Sequence, residues 1–232
     1  MRQKLQTIAF DADDTLWHNE RFFVLTQERF AELLVDHADS DHLADRLVAA
    51  ERRNIGHYGF GVKGFVLSMI ETAIEVTEGR VPASVISELM AAGRDMLAHP
   101  IELLPHARDA VEAAAGAHHV MLITKGDLLH QERKLAQSGL GDLFDTVEIV
   151  SDKQPETYAR IFESSPGGPV AAMMVGNSMR SDVIPAIEAG AWGVHVPHDL
   201  AWALEHAEAP VAPRFRSVAD LGDLPGLILE IG

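Results

Sequence analysis

The chain has 232 residues, 47% of them hydrophobic, with 19 Lys and Arg against 35 Asp and Glu and a net charge of −16. On average that charge repels nucleic acid and anionic membrane, so neither is an expected partner. With no cysteine, disulfides, thiol catalysis and cysteine-ligated metals are excluded, which leaves oxygen or histidine donors and favours a hard cation. There is no apolar run of about 18 residues and no basic stretch leading into an apolar core, so the sequence reads as cytoplasmic rather than membrane-bound or secreted.

In chain order, the first element is a hydrophobic run, Leu5 to Phe10, that ends in Asp11-Ala12-Asp13-Asp14-Thr15-Leu16. Three carboxylates stand where a buried strand should emerge. Like charges this close raise one another's proton affinity unless a cation or a catalytic task holds them, so the cluster predicts a divalent metal or acid–base chemistry. Asp11 and Asp13, two positions apart on extended backbone, can face one cleft, one as nucleophile and the other as proton carrier.

Residues 18–98 break the strand rhythm. Phe22, Phe23, Leu25, Phe30 and Leu33, then Leu43 and Leu47, then Phe65 to Ile74 recur at helical spacing, which predicts an inserted helical domain. Its apolar helices offer a homodimer face. The return is the proline-bracketed connection His99 to Pro105. Tyr58 to Phe65 matches the Gly-x-Gly-x-x-Gly spacing of dinucleotide-binding proteins, but a polar helix and not a buried strand precedes it, so that reading fails. The segment is either a loop that brings Lys63 to a substrate's leaving group or a plain helix–helix turn.

After position 100, strand-like runs near 119–123, 146–150, 170–175 and 191–196 alternate with helices. This predicts an α/β fold, a Rossmann-like parallel sheet core formed by residues 1–17 and 99–232, with ligands at the carboxyl ends of the strands. Three further polar groups stand at such ends. Thr124-Lys125-Gly126 follows the second run, where a hydroxyl and helix-start N–H groups suit phosphate-like oxygens. Lys153 follows the third, where an ammonium can neutralise an anionic substrate. Asn177 and Asp182 follow the fourth and are oxygen ligands suited to Mg²⁺. The histidine pairs His118-His119 and His195/His198 read as surface or satisfied side chains, and Trp17 as a wall of the cleft.

The set Asp-x-Asp-x-Thr, Thr, Lys and Gly-Asn-x-x-x-x-Asp, each after an apolar strand, resembles the four motifs of the haloacid dehalogenase-like hydrolase superfamily over essentially the whole chain. The helical insertion looks like the cap that follows the first motif in one of its groups. The resemblance implies that Asp11 attacks phosphorus and forms an aspartyl-phosphate, while Asp13 protonates the leaving oxygen and then takes a proton from the hydrolytic water. It implies that Thr124 and Lys153 grip the phosphoryl oxygens, and that Mg²⁺ bridges Asp11, the Asp13 carbonyl and the fourth motif. Many members carry an aspartate where Asn177 stands. Asp182 is therefore expected to ligate the metal directly with Asn177 supplying a neutral oxygen or a hydrogen bond, the alternative being weakened metal binding. The implied activity is Mg²⁺-dependent hydrolysis of a small phosphorylated metabolite. A carbon–halogen hydrolase, a phosphoryl mutase and a catalytically idle module are the alternatives; the intact Asp13 opposes the first, and the full set of site residues opposes the last.

Overall fold

A parallel six-stranded sheet organises the first of two compact units, made of Met1–Asn19, Ile101–Lys125 and Gln131–Gly232. The computed structural model describes residues 4–200 and 202–232; residues 1–3 of the expected core segment and Ala201 lie outside the described residues. The strands are β1 (Thr7–Phe10), β2 (His119–Lys125), β3 (Thr146–Val150), β4 (Ala172–Gly176), β5 (Trp192–His195) and β6 (Phe215–Ser217). The helices are α1 (Glu20–Leu33), α2 (Ser40–Tyr58), α3 (Val62–Val76), α4 (Ala83–Ala98), α5 (Ala107–Ala115), α6 (Leu128–Ser138), α7 (Pro155–Glu163), α8 (Ile184–Glu188) and α9 (Leu224–Ile231).

Successive strand residues point to opposite faces, and here both faces are covered. Ile8, Phe10, Val120, Leu122, Met173 and Val175 pack in one apolar layer with residues of α5 and α9. Ala9, Met121, Ile123, Ala172 and Met174 pack in another with residues of α7 and α8. Two-sided burial is why these strands read as continuous hydrophobic runs rather than as alternation. β6 escaped the sequence reading because it is three residues long, lies at the sheet edge and carries Arg216 at its centre.

The strand order is β3-β2-β1-β4-β5-β6, with every pairing parallel. The chain moves outward from β1 through β2 to β3, then returns to the other side of β1 with β4. That reversal opens a crevice beyond the carboxyl ends of β1 and β4, the place where open α/β sheets bind ligands. Asp11 and Asn177 are the residues that immediately follow those two strands.

The second unit comprises Glu20–Pro100 with Gly126–His130. Phe30, Leu34, Leu43, Leu47, Phe65, Met69 and Leu89 form its core. Asp39 caps α2 by accepting the His42 N–H at 2.9 Å. Gly59 ends α2 at φ 73° and Gly61 starts α3 at φ 106°, conformations that favour glycine. The Gly-x-Gly-x-x-Gly segment is thus the turn between two helices. Among the described residues no helix is long and apolar enough to cross a membrane.

Candidate active site

The β1 ladder carries one residue past the strand, because the Asp11 N–H donates to Val175 O at 2.9 Å. The chain then turns sharply: Leu16 N–H returns to Ala12 O at 2.8 Å, and Asp14 takes a left-handed φ of 59°. Asp11 is left buried at the end of the strand. Its Oδ1 is ion-paired with Lys153 Nζ, which also donates to Asp182 Oδ1 at 2.7 Å. Two carboxylates therefore share one ammonium, all three almost inaccessible to water. Burial, then the Asp182 charge, outweigh the pull of Lys153 and push the Asp11 carboxyl up to about 7. Burial works against the Lys153 charge, but Asp11 and Asp182 overcome it and raise its proton affinity.

Asp13 turns toward α6. Lys134 Nζ donates to its two oxygens at 2.8 and 2.9 Å, Trp17 Nε1 donates at 2.7 Å and Gln131 Nε2 at 3.1 Å. Burial opposes ionisation here too, yet the Lys134 charge and these hydrogen bonds hold the carboxyl below its ordinary range. Gln131 Nε2 also lies 2.7 Å from the buried Thr124 hydroxyl oxygen and 3.0 Å from Lys125 O, so its two N–H groups are shared among three acceptors.

The fourth motif closes the site. A Cβ at Gly176 would lie 2.3 Å from Asp182 Oδ2, so the glycine makes room for the carboxylate. A π-helical turn, Met179–Val183, brings Asp182 back beneath the strand end. Each Asp182 oxygen accepts a hydrogen bond: Oδ1 from Lys153, and Oδ2 from the Ser178 N–H at 2.9 Å. Asn177 instead faces Thr15, whose hydroxyl lies 3.2 Å from Asp11 Oδ2 and 3.3 Å from Asn177 Oδ1. One hydroxyl proton thus serves two acceptor oxygens.

The remaining expected residues lie elsewhere. Lys125 is ion-paired with Glu205 and donates to Ser181 Oγ at 2.8 Å, and the same Glu205 accepts from the Ser178 and Ser181 hydroxyls. Lys63 and Gly126 belong to the second unit, where Lys63 Nζ pairs with Asp127 Oδ2 at 2.7 Å. His195 Nε2 sits 3.1 Å from the Asn177 carbonyl oxygen and His119 Nε2 3.1 Å from Thr146 Oγ1. Gln131, Lys134 and Glu205 were not singled out from sequence, and Thr15 was named only as part of the first motif, without a role. Gln131, Lys134 and Ser138 recur at helical spacing, but that all three are buried, and so need partners, is visible only in the fold.

These donors suit a hard cation. They are oxygens, and the Asp11–Asp182 pair carries one more negative charge than Lys153 neutralises. Among the described residues no three His, Asp or Glu side chains converge as a ready cluster, so neutral oxygens must complete any coordination sphere.

A family model described as haloacid dehalogenase-like hydrolase matches residues 5–190. A haloacid dehalogenase-like family hydrolase from Xanthomonas campestris is 41% identical, with a TM-score of 0.89 over 99% of this chain and 92% of that one. The magnesium-bound HAD-hydrolase YfnB from Bacillus subtilis has 16% identity and a TM-score of 0.68 over 97% and 99% of the two chains. L-2-haloacid dehalogenase from Xanthobacter autotrophicus with chloropropionic acid covalently bound has 18% identity and a TM-score of 0.68 over 98% and 100%. At these lower identities the likeness is one of fold alone. No curated protein matches the sequence. The parallel sheet, the carboxylates at its switch point and the match over residues 5–190 together establish that this chain belongs to the haloacid dehalogenase-like hydrolases.

Proposed function

We propose that the protein is a Mg²⁺-dependent phosphatase that hydrolyses a small phosphorylated metabolite through an aspartyl-phosphate at Asp11. The observation that carries this reading is geometric: two carboxylates two residues apart at the sheet's switch point, Asp11 held by the buried Lys153 and Asp13 held separately by Lys134, Trp17 and Gln131, which lets them take different roles.

Asp11 attacks phosphorus in line as the bond to the leaving oxygen breaks, and Lys153 stays beside the attacking carboxylate and the transferring group. Thr124, anchored by Gln131, offers its hydroxyl to a phosphoryl oxygen. At rest Asp13 is a carboxylate paired with Lys134, the state needed to take a proton from water in the second step. For the first step it must gain a proton, which an anionic substrate promotes by opposing the field of Lys134. Water then attacks phosphorus, Asp13 takes its proton, and the Asp11 carboxylate is released with inorganic phosphate. When bound, Mg²⁺ supplies Lewis-acid stabilisation of phosphoryl charge, and Asp11, the Asp13 carbonyl and Asn177 would hold it. Because Asp182 clamps the Lys153 ammonium and the Ser178 N–H while Asn177 directly follows β4 beside Thr15 and Asp11, we assign Asp182 to fixing Lys153 and the Ser178 turn, and Asn177 to the direct ligand role that was expected of Asp182.

Phosphate release from an aryl phosphate and from a panel of phosphorylated metabolites, with and without EDTA, tests this reading. Release that requires Mg²⁺ and vanishes in Asp11→Asn is expected. Halide release from a 2-haloacid without any phosphatase activity would replace it with attack on carbon.

A further inference from the structure

α6 follows the second motif, and between Gln131 and Ser138 it turns side chains of unusual chemistry inward. Gln131 is 3% exposed and Lys134 6%, and they stand three positions apart, on one face of the helix. Both reach Asp13. Lys134 holds the two carboxylate oxygens at 2.8 and 2.9 Å and is itself anchored by Asn19 Oδ1 at 2.9 Å. Gln131 Nε2 lies within hydrogen-bond distance of Asp13 Oδ2, Thr124 Oγ1 and Lys125 O at once.

The orientation of that amide is forced. A carboxylate and a backbone carbonyl only accept, so Nε2 and not Oε1 must face them. Oε1 is then left buried without a hydrogen-bond partner in the structure. The side chain leaves one acceptor of its own unmet while its amide N–H groups serve Asp13, Thr124 and Lys125 O. An arrangement that sacrifices local satisfaction for placement is expected where geometry serves chemistry.

From this geometry we infer that Gln131 and Lys134 are positioning residues: the inner face of α6 locks the Asp13 carboxylate and the Thr124 hydroxyl into one arrangement, joining the proton carrier to the phosphoryl grip. The inference rests on the reading of Asp13 and Thr124 given above. It goes beyond the four motifs, none of which includes α6.

The test uses the full-length protein. Gln131→Met keeps the volume and removes both polar ends. Its kcat should fall about 10- to 100-fold, as expected for misplacement by about 1 Å. KM should rise by a smaller factor, about two- to fivefold, because Thr124 also holds the substrate's phosphoryl oxygen in the ground state. Its Tm should fall only modestly, because the donations lost to Asp13, Thr124 and Lys125 O are partly offset by removal of the unmet acceptor. Gln131→Glu, which sets a carboxylate against Asp13, should be slower still, and Lys134→Arg should retain more activity than Lys134→Met. Crystal structures of Gln131→Met and Lys134→Arg should show the Asp13 carboxylate displaced in the first and retained in the second. A Gln131→Met protein with wild-type kcat, or with Asp13 and Thr124 unmoved, overturns the inference in favour of a structural role. If the wild type hydrolyses no phosphate ester, the functional reading fails, while the crystal structures still decide whether α6 sets the position of Asp13.

Discussion

Asp11 and Asp13 leave the same strand two residues apart and meet opposite surroundings. Around Asp11, two carboxylates divide one buried ammonium, and the carboxyl rises to about 7. Around Asp13, one carboxylate receives an ammonium of its own together with indole and amide donors, and it falls below its ordinary range. Burial acts in the same direction on both, so the ratio of donors to carboxylates decides the outcome. A short acidic cluster can thus hold one group short of positive charge and another saturated with it.

The harshest way to break the comparison is Asp11→Asn, which keeps the shape and removes the nucleophile; activity should drop by about 10⁴-fold or more in a steady-state assay. Next is Lys153→Met, which leaves Asp11 and Asp182 buried side by side with no cation. It should lower unfolding stability by roughly 3–5 kcal/mol in urea titrations at neutral pH, an effect far larger than that of removing an exposed pair such as Arg29–Glu88.

The pH dependence of stability sharpens the contrast. In EDTA the folded Asp11 carboxyl titrates near 7 against an ordinary 3.8, so the folded state binds the extra proton and this group makes stability decline as pH rises through that window. Asp13 has the opposite sign: its contribution is complete above the ordinary carboxylate range and is lost as pH falls through and below it. Metal-free Asp11→Asn should therefore be more stable than wild type above pH 7 by on the order of 2 kcal/mol, with the gap closing toward acid. The smallest effect is expected from Asn177→Asp. Restoring a charge beside Asp11 should lower the Mg²⁺ concentration for half-maximal activity by about tenfold, whereas Asp182→Asn should chiefly lower stability by loosening Lys153. The reverse ranking in a Mg²⁺ titration would return the ligand role to Asp182.

How much of this was legible depended on where each residue sits. A polar residue that ends a buried apolar run is anomalous in one dimension, so Asp11, Thr124, Lys153 and Asn177 could be found from strand ends alone. The central runs, above all β1 and β4, were readable because two-faced burial writes unbroken hydrophobic stretches, whereas the edge strand β3 showed itself by its β-branched residues. Gln131 and Lys134 were not, because on a helix polar residues ordinarily face water, and only tertiary packing reveals that these face inward. Glu205 was hidden for another reason: it lies in an irregular stretch after β5, and its partners Lys125, Ser178 and Ser181 come from two other strand ends. Asp182 was visible, but its role depended on which oxygens were already taken, a question that spacing cannot answer.

The glycine that ends β4 ties backbone to chemistry in a way that constrains change. Its missing side chain is volume already claimed by Asp182, so positions 176 and 182 behave as a single steric unit. An alanine at 176 would meet the Cβ of residue 182 at 2.6 Å as well as its carboxylate, so shortening the acid alone does not make room and the backbone of the turn itself must shift.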